Sequence, residues 1–317
     1  MAPMPRPLTD AQLLDLVALL PAERPFTSEE ADSRGVVNHH RRHLVSRGLL
    51  QRPVRGVFHL AALPDTLQLR VEVLRLLVPS DCVVTDRTAA WLWGAPTVLA
   101  PGDHLAVPHI SVFAPPGRRL RNGLVASGER RLLGCDVATV HDVRVTTPLR
   151  TACDLGRLLH RDQALGSMDM LAGLRRFSVD ELVEELTRFR GYRGIVQARL
   201  LAPLVDARSE SLWESVLRLR WYDAGLPRPE CQVEIEAPYG SYFLDIGLPD
   251  LRFGAEYDGE EAHGPEREQH DTERRTWARQ YGGWSLVVAR SHNVIGRHQD
   301  IERTLRRQFA LHQSQAA

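Results

Sequence analysis

Apolar residues recur at three- and four-residue spacing in LTDAQLLDLVALL (residues 8–20) and predict an opening helix with Thr9 or Asp10 as its cap. FTSEEADSRGVVNHHRRHLVSRGLLQRPVRGVFHLA then reads as two short helices parted by a turn at Gly35. Thr27–Ser28 caps the first, Val36–Arg47 forms the second, and Gly48 ends it. Gln51–Arg55 turns the chain into a strand over Gly56–Leu60. Helical spacing returns at Pro64–Leu77, Asp86–Trp93, Arg161–Gly173 and Val179–Phe189. HLAVPHISVFAPPGRRLRNG reads as a strand followed by an arginine-rich turn. VATVHDVRVTTPLRTACDLGRLL reads as strand, turn, strand and a helix capped by Thr147 with Pro148 at its first position.

From Ser209 the pattern sharpens. SESLWESVLRLRWYDAG is an amphipathic helix stopped at Gly225, and CQVEIE, YFLDIGL and RFGAEYDG are three strands. A helix over Arg267–Tyr281, stopped by Gly282–Gly283, leads to a fourth strand, WSLVVAR, and a last helix over Asp300–His312. Three domains are expected, at residues 1–62, 63–204 and 205–317. The fold class is multidomain α+β. An N-terminal winged helix-turn-helix, from its helix–turn–helix–hairpin order, precedes a middle α/β domain and a C-terminal αβββαβ core.

Composition narrows the picture. The 317 residues are formally neutral, and no apolar run is long enough to span a membrane. The opening MAPMPRPLTD lacks the apolar core of a signal peptide, so a cytoplasmic location is expected. Cys82, Cys135, Cys153 and Cys231 are widely separated and form no CxxC pair, which argues against a disulfide framework or a zinc ribbon. Lysine is absent and all 40 basic residues are arginine, so no chemistry here uses a catalytic lysine.

Two charge patterns carry candidate chemistry. From Arg34 to Arg55 there are six arginines, three histidines and no acid. His39, His40, Arg41, Arg42, Arg47, Arg52 and Arg55 on the second helix and hairpin suit phosphate contact with DNA. A solvated basic face and a protein-docking face are the alternatives. The second pattern is acids inside strands, where they are poor strand formers and costly to bury. If Pro249–Arg252 is a four-residue turn, Leu248 faces Phe253 and Asp245 lies opposite Glu256, with Asp258 on the face of Glu256. Three carboxylates on one patch raise one another's pKa, and a hard divalent cation, Mg²⁺ or Mn²⁺, relieves the conflict. Asp258 precedes Gly259 and also reads as the start of a turn.

Residues 8–60 resemble the winged-helix domain of AbiEi-type antitoxins of type IV toxin–antitoxin systems through FTSEEADSRGV, HLVSRGLL and RGVFHLA. The middle is similar to the second part of that family through VVTDRTAAWLWG and VRVTTPLRTACDLGR. This resemblance implies promoter binding, repression and a cognate toxin. Residues 205–312 resemble the very-short-patch-repair (Vsr)-like endonucleases, a branch of the PD-(D/E)XK superfamily. The carriers are Glu214 in LWESVLRL, Asp245 in FLDIGL, Glu256 and Asp258 in AEYDGEEAHG, His263, then Asp271 and Arg275. That resemblance implies metal binding by Asp245 and Glu256, completed by Glu214, with His263 as general base or water-orienting group; a solvated loop histidine is the alternative. Asp258 stands where the superfamily's signature lysine would be. Arg274, Arg275 and Arg279 follow as phosphate contacts or as a solvated helix face.

Three readings result. One is a metal-dependent DNA endonuclease or nickase, in phage defence or DNA repair. Another is an antitoxin-type DNA-binding regulator whose nuclease-like domain is weakly active or inactive. The third is an antitoxin whose main task is neutralising a toxin.

Overall fold

The computed structural model describes residues 9–95, 110–114, 125–237, 240–259 and 274–316. Helix α1 (Asp10–Ala18) starts at a reciprocal cap: Thr9 Oγ1 accepts the Gln12 N–H, and the Gln12 side chain accepts the Thr9 N–H. Strand β1 (Phe26–Thr27) leads into α2 (Ser28–Ser33), capped by Thr27. A turn with Gly35 at φ +80° precedes α3 (Asn38–Ser46). The hairpin β2 (Leu50–Val54) and β3 (Val57–Leu60) follows. These strands form an antiparallel sheet in the order β1-β3-β2. Leu13, Phe26, Ala31, Leu44, Leu50 and Phe58 close one apolar core against it.

Two local details differ from expectation. Phe26–Thr27 is a short strand as well as a cap, pairing Phe26 with Phe58. Gln51–Arg55 is mostly strand rather than turn. The β2–β3 register shifts between Gln51 and Val54, where Pro53 has no N–H to donate, so simple alternation is lost.

Next come α4 (Leu67–Arg75), β4 (Val83–Val84), α5 (Asp86–Trp93), β5 (Ile110–Ala114), β6 (Val125–Glu129), β7 (Val137–Val140) and β8 (Val143–Thr146). Their sheet has the order β6-β5-β4-β8-β7. Strands β4 and β6 escaped sequence reading; β4 is only two residues long. The arginine-rich turn expected after β5 lies outside the described residues. Helix α6 (Pro148–Leu158) is capped as expected, Thr147 Oγ1 accepting the Arg150 N–H at 3.2 Å.

The chain divides into two compact units within α6, between Thr151 and Ala152. The second unit contains α7 (Arg161–Gly173), α8 (Val179–Glu185), α9 (Ile195–Leu201) and α10 (Leu212–Asp223). Strands β9 (Glu230–Ala237), β10 (Gly240–Leu248) and β11 (Phe253–Tyr257) follow. The described part of helix α11 (274–280) precedes β12 (Ser285–Ala289), α12 (Ser291–Val294) and α13 (Ile301–Ala316). The sheet order is β12-β11-β10-β9; β11 and β12 are parallel and the other pairs antiparallel. Trp221 of α10 and Leu305 of α13 pack with Phe253 and Val287 in one core. Ala278 of α11 packs with Tyr242, Leu244 and Trp284 in another.

The sequence boundary at 204/205 falls inside this unit. Arg218 of α10 pairs with Asp169 of α7, both essentially inaccessible, and Arg220 takes Asp162 through two bonds of 2.9 and 2.5 Å. Buried charges of this kind bind only as pairs, because either left alone keeps its full desolvation cost. Helix α10 therefore belongs as much to the helices before it as to the strands after it.

Candidate functional site

Strands β10 and β11 set the acids. The ladder runs Leu248↔Phe253, Gly247↔Gly254 and Ile246↔Ala255 and stops one residue short of Asp245 and Glu256, which lie close enough to repel each other. A Cβ at Gly254 would stand 2.8 Å from the Ile246 carbonyl oxygen, so glycine is required for this close pairing. Alternation along β10 breaks at Asp245. Tyr242 and Leu244 face the core beneath α11, but Ile246 belongs to the core beneath α10. The β9–β10 pairing likewise passes from Leu244↔Val233 to Ile246↔Cys231, and Gln232, between them, has φ +53°. Asp245 thus sits at a kink between the two cores.

Each acid has a defined neighbourhood. Glu256, 4% exposed, accepts from the Tyr242 hydroxyl and from Arg275 Nε. Asp258 accepts from Arg275 Nη1 at 3.2 Å and Arg290 Nη2 at 3.5 Å. Asp245 Oδ2 accepts the Tyr257 N–H at 2.6 Å. Glu214, in the first turn of α10, accepts the Glu210 N–H at 2.9 Å and the Gln232 side-chain amide at 3.0 Å. Ser211 caps that helix, taking the Glu214 N–H, which fixes where the carboxylate leaves the backbone. Trp213 stacks on Tyr257 with ring centroids 5.0 Å apart.

The electrostatics follow from this crowding. Burial first, then the negative charges of Glu214 and Glu256, push the Asp245 carboxyl up to about 8, against the opposing Tyr257 N–H. Burial also raises Glu214, partly offset by its hydrogen bonds. Burial beside the Glu256 carboxylate raises the Tyr242 phenol, which keeps it a donor. Arg275 is raised despite burial, because Glu256 and Asp258 hold its charge.

As oxygen ligands these acids fit a hard divalent cation in kind. Their partners compete with one: Glu256 and Asp258 are bridged by Arg275. Among the described residues no group of three His, Cys, Asp or Glu is placed to hold a metal ion. Arg274 also turns toward the site, its guanidinium 4.4 Å from the Tyr242 ring centroid. The expected phosphate contacts Arg274 and Arg275 are thus engaged with Tyr242 and the acids. His263 and Asp271 lie outside the described residues. Sequence reasoning missed Tyr242, Gln232 and Arg290. The β9–β10 register, once known, places Tyr242 and Gln232 beside the acids.

The basic segment is mixed. His39, Arg42, Arg47, Arg52 and Arg55 are exposed, and His40 is half-buried with its ring 4.0 Å from that of His39. Arg52 is lowered by burial first and by repulsion from Arg55 and Arg41, which marks a true concentration of positive charge. Arg41 corrects the expectation. It is 4% exposed and donates to Asp32 and to the Val36 carbonyl, each at 2.6 Å, so it braces α2 against α3 instead of facing a phosphate. Its outward neighbour Arg42 is where α3 presents charge.

A chain with these sheets and this acid pocket can be placed among known proteins. Residues 82–204 match the AbiEi antitoxin C-terminal domain. The uncharacterized proteins MT2308 and Rv2248 of Mycobacterium tuberculosis are each 35% identical over 246 residues, covering 77% of this chain and 86% of the relative. The chain belongs to the family of these mycobacterial proteins. Among the described residues no helix is long and apolar enough to cross a membrane.

Proposed function

We propose that the chain is a DNA-binding regulator of the AbiEi antitoxin type, with a cognate toxin as partner and a cytoplasmic site of action. The observation that carries this reading is the antitoxin domain match at 82–204. The N-terminal order α1-β1-α2-α3-β2-β3, with sheet order β1-β3-β2, supports a winged helix whose α3 enters a groove. Arg42 and Arg47 on α3 and Arg52 and Arg55 on the hairpin then meet phosphates. A gel-shift titration of DNA upstream of the chain's own gene tests it. A salt-sensitive complex is expected, and a chain that shifts no DNA refutes the reading. The toxin arm is tested by co-purification with the product of the adjacent gene.

A second reading, a metal-dependent endonuclease or nickase, is favoured by Asp245. A carboxylate fixed at a kink where it repels Glu214 and Glu256 is a natural place for a cation. The order α10-β9-β10-β11-α11-β12 supports a PD-(D/E)XK core of the Vsr-like kind. On this reading Asp245, Glu256 and Glu214 hold Mg²⁺ or Mn²⁺, with Asp258 beside them. The bound ion would supply Lewis-acid activation of a phosphodiester. Tyr242 and Arg275 orient Glu256, and His263 is the proposed proton acceptor. Nicking of supercoiled plasmid with Mn²⁺, lost in Asp245→Ala and Glu256→Ala, is the expected result; wild-type protein inert on plasmid and linear DNA refutes it.

A further inference from the structure

Beyond β12, the segment between α12 and α13 borders an open cavity of about 520 Å³ lined by polar and charged residues. Four of its residues, His292, Arg297, His298 and Arg303, are exposed and carry donors outward. We propose that this cavity is a second DNA-backbone contact, taking phosphates of a DNA duplex. The proposal rests on the DNA-binding reading and extends it to the C-terminal unit.

The backbone of this segment is tied down. Asn293 Oδ1 accepts the Arg290 N–H at 2.8 Å, and the Asn293 carbonyl accepts the Asp300 N–H at 3.1 Å. Gln299 N–H reaches the Gly296 carbonyl at 3.3 Å, and Gly296 supplies the positive φ, +98°, that the reversal needs. The Asp300 carbonyl accepts the N–H groups of Arg303 and Thr304. The arginines therefore leave from fixed positions, which lowers the ordering cost of gripping a ligand.

Charge points to an anion. Arg297 and Arg303 face one acid in the lining, Asp300, and the two histidine rings add N–H donors. Glu302, at the margin of the cavity, is engaged by Arg220 at 3.5 Å and by the side-chain amide of the lining residue Gln299. A polar lining offers no seat for the apolar face of a partner helix, whereas guanidinium forks match phosphate oxygens.

Placement points to DNA. Strands β11 and β12 are parallel and end together, Tyr257 beside Ala289. The Asp258 N–H bonds the Ala289 carbonyl at 2.7 Å, and Arg290 reaches the Asp258 carboxylate at 3.5 Å. The basic segment thus begins at the strand ends that carry Asp258.

The test is fluorescence anisotropy of the full chain with a labelled duplex, across a potassium chloride series. Arg297→Ala with Arg303→Ala should weaken binding and make the log–log salt slope shallower by about 2, one per lost phosphate contact. Lysine at both positions should restore the slope, since charge is kept. Both arginines are exposed, so the variants should melt like wild type. Unchanged affinity and slope in the alanine variant overturns the proposal and leaves the DNA-binding reading standing. Wild-type protein that binds no duplex overturns both.

Discussion

Replacing Asp245 with asparagine removes one ionisation and little else. The asparagine Oδ1 can still accept the Tyr257 N–H that Asp245 holds at 2.6 Å. In the folded chain the carboxyl is pushed from 3.8 to about 8 by burial and by Glu214 and Glu256. A folded pKa above the unfolded one means that the fold holds the proton more tightly. Its stabilising contribution is complete below pH 4 and is lost as pH rises toward 8. From the unfolded value to pH 7 is roughly three units, and at about 1.36 kcal/mol each the ceiling is about 4 kcal/mol. Partial exposure and local relaxation reduce the expected effect to about 1–3 kcal/mol. Urea unfolding of wild type and Asp245→Asn, in EDTA from pH 4 to pH 9, measures it. The variant's advantage should be near zero at pH 4 and grow to that range by pH 8. A stability difference that is constant across pH would refute the account of the pocket.

Arg275→Ala strips the cation from Glu256 and Asp258, and without metal should cost about 2–4 kcal/mol, from the usual penalty for halving a buried pair. Millimolar Mn²⁺ should restore much of the lost melting temperature in that variant while moving wild type little; equal responses would show that Arg275 does not compete with a metal. Arg218→Ala leaves Asp169 buried and unpaired, with an expected loss of about 3–5 kcal/mol and melting of α7 together with the β9–β12 sheet. Hydrogen exchange in which that sheet keeps its protection while α7 loses it would contradict the coupling. Arg41→Ala should lower stability by about 1–3 kcal/mol, read by thermal melting, while the folded variant keeps wild-type DNA affinity.

The acid pair was legible because its determinants are local. A short turn at Pro249–Arg252 sets one register, and two glycines opposite each other permit it. The break of alternation at Asp245 was not legible, since it comes from Gln232 on another strand. Arg275 likewise reached the acids only through the packing of α11, which no spacing in the sequence encodes. Arg41 was misjudged because its neighbours are all basic, and only the return of Asp32 from α2 shows that it points inward. The boundary at 204/205 follows the change of element order near Ser209, and complementary charges at Asp162, Asp169, Arg218 and Arg220 cross it. Helix α9 was overlooked because it is seven residues long and follows two glycines.

The central claim, that α3 and its hairpin bring the chain to DNA, is tested most directly by anisotropy titrations of wild type and Arg42→Ala with Arg47→Ala. Both side chains are exposed, so the fold should be kept. The account predicts weaker binding in the double variant, with a salt slope shallower by about 2. Equal affinity and equal slope for the two proteins would contradict it.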